Sequence, residues 1–196
     1  EIRTLEKKLF NFDLLGLSLR GEARLWLHDY ENAKRDFLKI VSALDKWKLP
    51  ISYMGAPTNL KELVAMSSAQ IRAFVGLCVL NVLTDNFKEA KLWGILARDR
   101  INDVNLVAHH PLYGKFVKVP YDAIYGEAIN TTFLGAAILG SGNENKLSEK
   151  YFDLAKTYFT QLNFPLGIST TLSVKAYVLY KLNKFDKSEK VADEMF

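Results

Sequence analysis

The residues best suited to metal chemistry are His109 and His110, adjacent in sequence and followed by Pro111. Imidazole nitrogens are good zinc ligands, but two direct neighbours reach one ion only with help from distant carboxylates such as Asp122 or Glu127. No spaced His/Cys cluster supports that geometry, so we read the pair as a solvated or hydrogen-bonded loop and expect no bound metal. Cys78 is the only cysteine. It rules out an internal disulfide and a multi-thiolate site, and it fits a reducing compartment, from which an intracellular, cytoplasmic location is expected. Its neighbours Val75, Gly76, Leu77, Val79 and Leu80 mark it as a buried thiol and not a nucleophile. Glu22 and Glu127 sit in repeated Gly-Glu-Ala tripeptides, but two glutamates in separate helices read as surface or groove residues before an acid–base pair. A nucleophile elbow, a phosphate-binding glycine loop and a dinucleotide fingerprint are all missing. We therefore expect no enzyme activity and no cofactor.

Charge narrows the partners. Lys and Arg number 26 against 22 Asp and Glu, a net charge of +4, which is mild beside the clustered basicity of a dedicated nucleic-acid binder. The late lysines Lys175, Lys181, Lys184, Lys187 and Lys190 interleave with Asp186, Glu189, Asp193 and Glu194 and read as a solvated helix surface. A nucleic-acid-associated helical scaffold is kept as an alternative on the strength of the net charge; a metal-dependent enzyme is the remote one. Of the tryptophans, Trp26 falls near the end of a helix where it could face a groove, while Trp47 and Trp93 are placed to pack between units or to lie partly exposed; core packing is the default reading of each.

The elements that must position these residues are helices. An apolar stripe at intervals of three and four runs through Phe10, Leu14, Leu17, Gly21 and Leu25, and a second through Ala33, Phe37, Ile40, Val41 and Leu44. Between them His28-Asp29-Tyr30-Glu31-Asn32 is expected to turn, with Asp29 capping and Tyr30 wedged at the corner. Helices are likewise expected over 59–84 and 88–100, over 121–139 and 146–162, and over 167–182 and 186–195. Breaks are expected near Pro50 to Pro57, near His109 to Pro120, at Gly140-Ser141-Gly142-Asn143, and at Phe164-Pro165 as a helix stop. The longest apolar runs, Ala73 to Leu80 and Phe133 to Gly140, fall short of the roughly 20 residues of a bilayer span, so no transmembrane segment is expected. With 49% apolar side chains, the chain can bury a sizeable core, and residues 1–196 are read as one domain. The start at Glu1, and apolar residues near both ends, lead us to expect a fragment of a longer protein.

Three hairpins fit one frame. A small residue (Gly21, Cys78, Ala176) is followed nine positions on by an aromatic (Tyr30, Phe87, Phe185) and three further by a second small residue (Ala33, Ala90, Ser188). Phe37, Gly94 and Ala192, then Ile40, Ala97 and Met195, continue the frame. Small side chains let paired helices approach closely, and an aromatic fills the corner. This pattern resembles tetratricopeptide repeats, whose unit is about 34 residues. Leu17, Phe74 and Leu172 stand where that family often has tryptophan, Arg24, Asn81 and Leu179 where it has tyrosine, and Asp45 and Asn102 where it has proline. The turn aromatics are spaced too widely for contiguous units, so irregular insertions are expected.

The resemblance implies an all-α fold of stacked antiparallel helical hairpins, a TPR-like α-solenoid, acting as a protein-interaction scaffold, adaptor or assembly subunit. Carried over position by position, the family's groove residues include Ser18, Glu22 and Trp26 on the first helix, Arg72 on the third and Tyr177, Tyr180 and Lys181 near the end. The middle unit offers Val75, Val79, Val82 and Leu83, which suit helix packing. Ser18, Leu19 and Glu22 do not match the lysine and asparagine set with which some members hold acidic chaperone C-termini. The expected partner is another protein or peptide.

Overall fold

The computed structural model describes residues 2–44, 60–108, 121–142 and 145–195. Eight helices account for them: α1 (Ile2–Trp26), α2 (Tyr30–Leu44), α3 (Leu60–Leu83), α4 (Phe87–Ala108), α5 (Tyr121–Gly140), α6 (Asn145–Gln161), α7 (Pro165–Lys181) and α8 (Phe185–Asp193). The all-α expectation holds, with no strand among the described residues. Several boundaries move. Tyr30, Glu31 and Asn32 open α2 instead of forming the turn, and the turn aromatics Phe87 and Phe185 likewise become first helical residues. Helix α4 runs on past Arg100 to Ala108, because no glycine or proline interrupts it there. Helix α6 ends at Gln161, ahead of Phe164-Pro165 as expected, but Pro165 has a second role. It starts α7, where its missing N–H costs nothing and its fixed φ suits the first turn. The breaks expected near Pro50 to Pro57 and His109 to Pro120, together with Trp47, lie outside the described residues.

Four turns share one backbone solution. His28, Asp85, Asn163 and Asn183 all adopt positive φ, between 50° and 61°. At each, the left-handed residue donates its N–H three residues back, and the next residue donates five back, as in Asn86 N to Asn81 O at 2.7 Å and Asp85 N to Val82 O at 3.1 Å. These two bonds satisfy helix-end carbonyls that would otherwise be orphaned, and they reverse the chain within two residues. A new helix begins two residues after every one of them. Short polar side chains tolerate this conformation best after glycine, which explains Asn and Asp at three of the four sites.

The chain divides into two compact units. The first holds α1, α2, α3 as far as Leu77 and α4 from Asp99. Its centre is Phe37, fully buried on α2. The ring lies against Gly21 of α1 and Gly76 of α3, and a Cβ at either position would overlap it. Leu14, Leu25, Ile40 and Leu44 complete the α1–α2 seam.

The second unit runs from Cys78 to Arg98 and takes in α5 to α8. Here α5 packs on both α6 and α7, α6 packs on α7, and α7 on α8. Every residue of α5 from Asn130 to Leu139 is buried, so this helix is apolar all round instead of striped. Some of the polar groups it carries tie it to its neighbours. Asn130 Nδ2 donates to the Gly94 carbonyl at 3.0 Å, and the Thr132 and Thr171 hydroxyls meet at 3.0 Å between α5 and α7. At the α7–α8 seam the two small residues of the repeat frame touch directly, the Ser188 hydroxyl donating to the Ala176 carbonyl at 2.8 Å.

Candidate partner-binding surface

The residues assigned to a groove separate into buried, paired and exposed groups. Ser18 is fully buried, and its hydroxyl donates to the Leu15 carbonyl at 2.8 Å within α1. It packs, and offers a partner no surface. Glu22 and Arg72 find each other in the first unit: Arg72 Nη1 lies 2.9 Å from both carboxylate oxygens, joining α1 to α3. Both stay partly solvent-accessible, so the pair presents a neutral, bidentate polar spot instead of two opposite charges. Trp26, at the last residue of α1, is 65% exposed, and Leu27 beside it is more open still. Large apolar side chains this open are the anchors from which interfaces are usually built.

In the second unit the structure brings Tyr177 and Lys181 together on one face of α7, one turn apart, and adds Asp85 from the α3–α4 turn. Tyr177 Oη donates to Asp85 Oδ1 at 2.8 Å, and Lys181 Nζ reaches Oδ2 at 2.7 Å. The Lys181 ammonium also stands 5.5 Å from the centre of the Tyr177 ring, within cation–π range. Burial pushes the Asp85 carboxyl upward, but the hydrogen bonds from Lys181 and Tyr177 and the ammonium charge outweigh it, holding the group below its ordinary value. Tyr177 shifts the other way: burial and the neighbouring carboxylate both disfavour the phenolate. Asp85 therefore stays ionised and Tyr177 protonated, each suiting the other. Next to this triad, Tyr180 and Phe185 form an edge-to-face pair with centroids 5.4 Å apart, and both are more than half exposed, at 59% and 53%.

Two charged features escaped the sequence reading. Asp85 contributes from a turn and is separated from Tyr177 by 92 positions, which no local pattern reveals. Asp36 lies 1% exposed within the apolar stripe of α2, where Arg20 grips it with Nε and Nη2 at 2.8 Å each and Arg24 adds Nη1 at 2.7 Å. The Arg20 hydrogen bonds, aided by the charges of both guanidiniums and opposed by burial, keep its carboxyl below the usual range. A carboxylate two turns before the end of an apolar stripe, facing arginines spaced four apart, was a readable signal. Its role is to fasten α1 to α2.

The proposed chemical residues have other roles where they are described. Cys78 is fully buried, and its thiol is pushed far up by desolvation, which leaves no thiolate for chemistry. Glu127 accepts a hydrogen bond from Tyr158 at 2.8 Å, and burial together with this carboxylate pushes the phenol up to about 12. His109, His110 and the Asp122 side chain lie outside the described residues. Among the described ones, no group of three metal-ligating side chains gathers. Helix α3 carries an apolar window, Met66–Leu83, longer than the run expected from sequence and long enough by length and composition to span a bilayer, yet 78% of it is buried against the chain itself. Comparison with protein-family models, curated proteins and solved structures finds no match.

Proposed function

We propose that this chain is a TPR-like interaction scaffold that holds a peptide or protein segment on helical faces lined by exposed aromatic side chains. The observation that carries the reading is the repeated hairpin. One left-handed turn recurs four times, and in the second unit helices pack in succession with α5 against both α6 and α7, the contact pattern expected when hairpins pile on one another. Such a framework presents side chains on rigid helices, so a partner docks without the receptor having to order itself. Trp26 in one unit and Tyr180 with Phe185 in the other supply the anchors, and polar pairs beside them supply register.

Affinity capture of partners by the purified chain, with the captured protein then tested against variants, examines this reading. Trp26→Ala and Tyr180→Ala remove exposed rings that hold no core together, and each should weaken capture at least about tenfold if its ring is an interface anchor. The double swap Glu22→Arg with Arg72→Glu keeps the α1–α3 pair while reversing which helix shows which charge. A partner retained by all of these variants would place the interface elsewhere and remove the support for the reading.

A further inference from the structure

The polar end of the α7 face already holds a carboxylate, and it belongs to the chain. Tyr177 Oη and Lys181 Nζ converge on different oxygens of Asp85, at 2.8 Å and 2.7 Å, which is the arrangement that would receive an aspartate or glutamate from outside. We propose that Asp85 is an intramolecular stand-in for a partner's carboxylate, so that this face takes an acidic peptide bearing an apolar residue beside the acid, and takes it by displacing Asp85. The inference deepens the scaffold reading and rests on it.

Three observations support displacement in preference to a fixed tether. The Asp85 side chain is 42% exposed and the Lys181 side chain 40%, so water, and hence another carboxylate, reaches the pair; contacts of this kind hold weakly. The turn bearing Asp85 is closed by its own backbone bonds to Asn81 and Val82, which leaves the carboxylate free to swing away without unfolding the corner. The same left-handed turn is made with Asn163 and Asn183 elsewhere. The backbone therefore does not require a charged residue at Asp85, and the charge is available for another purpose. Tyr180 and Phe185, exposed beside the triad, give an apolar neighbour of the incoming acid a surface to lie on.

The stand-in lowers the fraction of molecules ready to bind, and removing it restores that fraction. The probes are two short fluorescein-labelled peptides, one alternating aspartate with leucine and one with asparagine in place of each aspartate, read by fluorescence anisotropy against the full chain. Asp85→Asn and Asp85→Gly both tolerate the left-handed turn, and each should tighten binding of the acidic peptide roughly fivefold while leaving the uncharged peptide unchanged. Adding Lys181→Ala to Asp85→Asn should abolish the gain. Circular dichroism and a thermal melt on every variant verify that it is folded. No gain with either variant, or an equal gain for both peptides, overturns the stand-in. If that happens while Tyr180→Ala still weakens capture of a partner, the scaffold reading survives; if capture is also unaffected, both fall.

Discussion

The environment of Asp36 constrains what the fold can tolerate at that position. A carboxylate 1% exposed persists only because three guanidinium nitrogens surround it, and its neutral analogue leaves those donors poorly matched. Asp36→Asn should lower stability by about 1–2 kcal/mol in urea unfolding, less than a dry ion pair would cost because the Arg20 and Arg24 side chains remain partly wetted. The pH dependence follows from the direction of the shift. The folded carboxyl titrates below the value near ~3.9 of an unfolded chain, so its contribution is complete above that value and is lost as pH falls through it toward the folded pKa. Asp85 is depressed in the same sense. Melting temperature should therefore drop on acidification below about pH 4, and drop less in Asp36→Asn; an identical acid profile in the variant would exclude Asp36 as a source. Sequence periodicity marks Ala33, Phe37, Ile40, Val41 and Leu44 as the apolar stripe; Val41 is half-buried and the other four are buried. It passed over Asp36 because a charged residue is taken as exposed unless its partners are known, and those partners lie on another helix.

At the level of the helices, the turns decide where one element ends and the next begins. Periodicity located each described helix, since apolar residues three and four apart need no knowledge of tertiary contacts. It misplaced the corners because it assigned the aromatics Tyr30, Phe87 and Phe185 to the turns, whereas the chain reverses at the left-handed residue two positions earlier. Substitution at these points separates backbone from side-chain effects. Asn163→Val forces a β-branched residue to positive φ and should cost about 1–2 kcal/mol, while Asn163→Gly should be neutral within a few tenths; chemical unfolding of the two variants measures the difference. The close approach of helices around Phe37 gives a second test. A methyl at Gly21 meets the ring at 2.7 Å, so Gly21→Ala should destabilise by about 1–3 kcal/mol through overpacking. Pairing it with Phe37→Leu, which shortens the opposing side chain, should recover part of that loss. A strictly additive double variant would mean that the two sites do not share the contact. The repeat frame, built on small residues, anticipated the closeness at Gly21 but gave no hint that Gly76 meets the same ring from α3.

On the scale of the whole molecule, the question is whether a net charge of +4 amounts to a nucleic-acid surface. Affinity for a polyanion depends on how many cations can face phosphates together, because each such contact releases counterions and steepens the salt dependence. Among the described residues several cations are paired within the chain or diluted by neighbouring acids. Arg20 and Arg24 hold Asp36, Arg72 holds Glu22, Lys156 lies 2.9 Å from Asp153, and Lys181 holds Asp85. On α8, exposed Lys187 and Lys190 alternate with exposed Asp186, Glu189 and Asp193, so a phosphate drawn to one is repelled by the next. The groove residues assigned from sequence point the same way, since the cations among them, Arg72 and Lys181, are both paired within the chain. What sequence could not reveal was the pairing of Arg72 with Glu22 and of Lys181 with Asp85, which joins elements far apart along the chain. Binding to duplex DNA or single-stranded RNA should consequently be weaker than about 1 µM at physiological salt, with a shallow log–log salt slope corresponding to no more than two or three phosphate contacts. Fluorescence anisotropy across a salt titration measures both quantities. A steep slope with submicromolar affinity would point to a cationic surface built by lysines and arginines outside these pairs, and would favour the nucleic-acid alternative over the proposed protein scaffold.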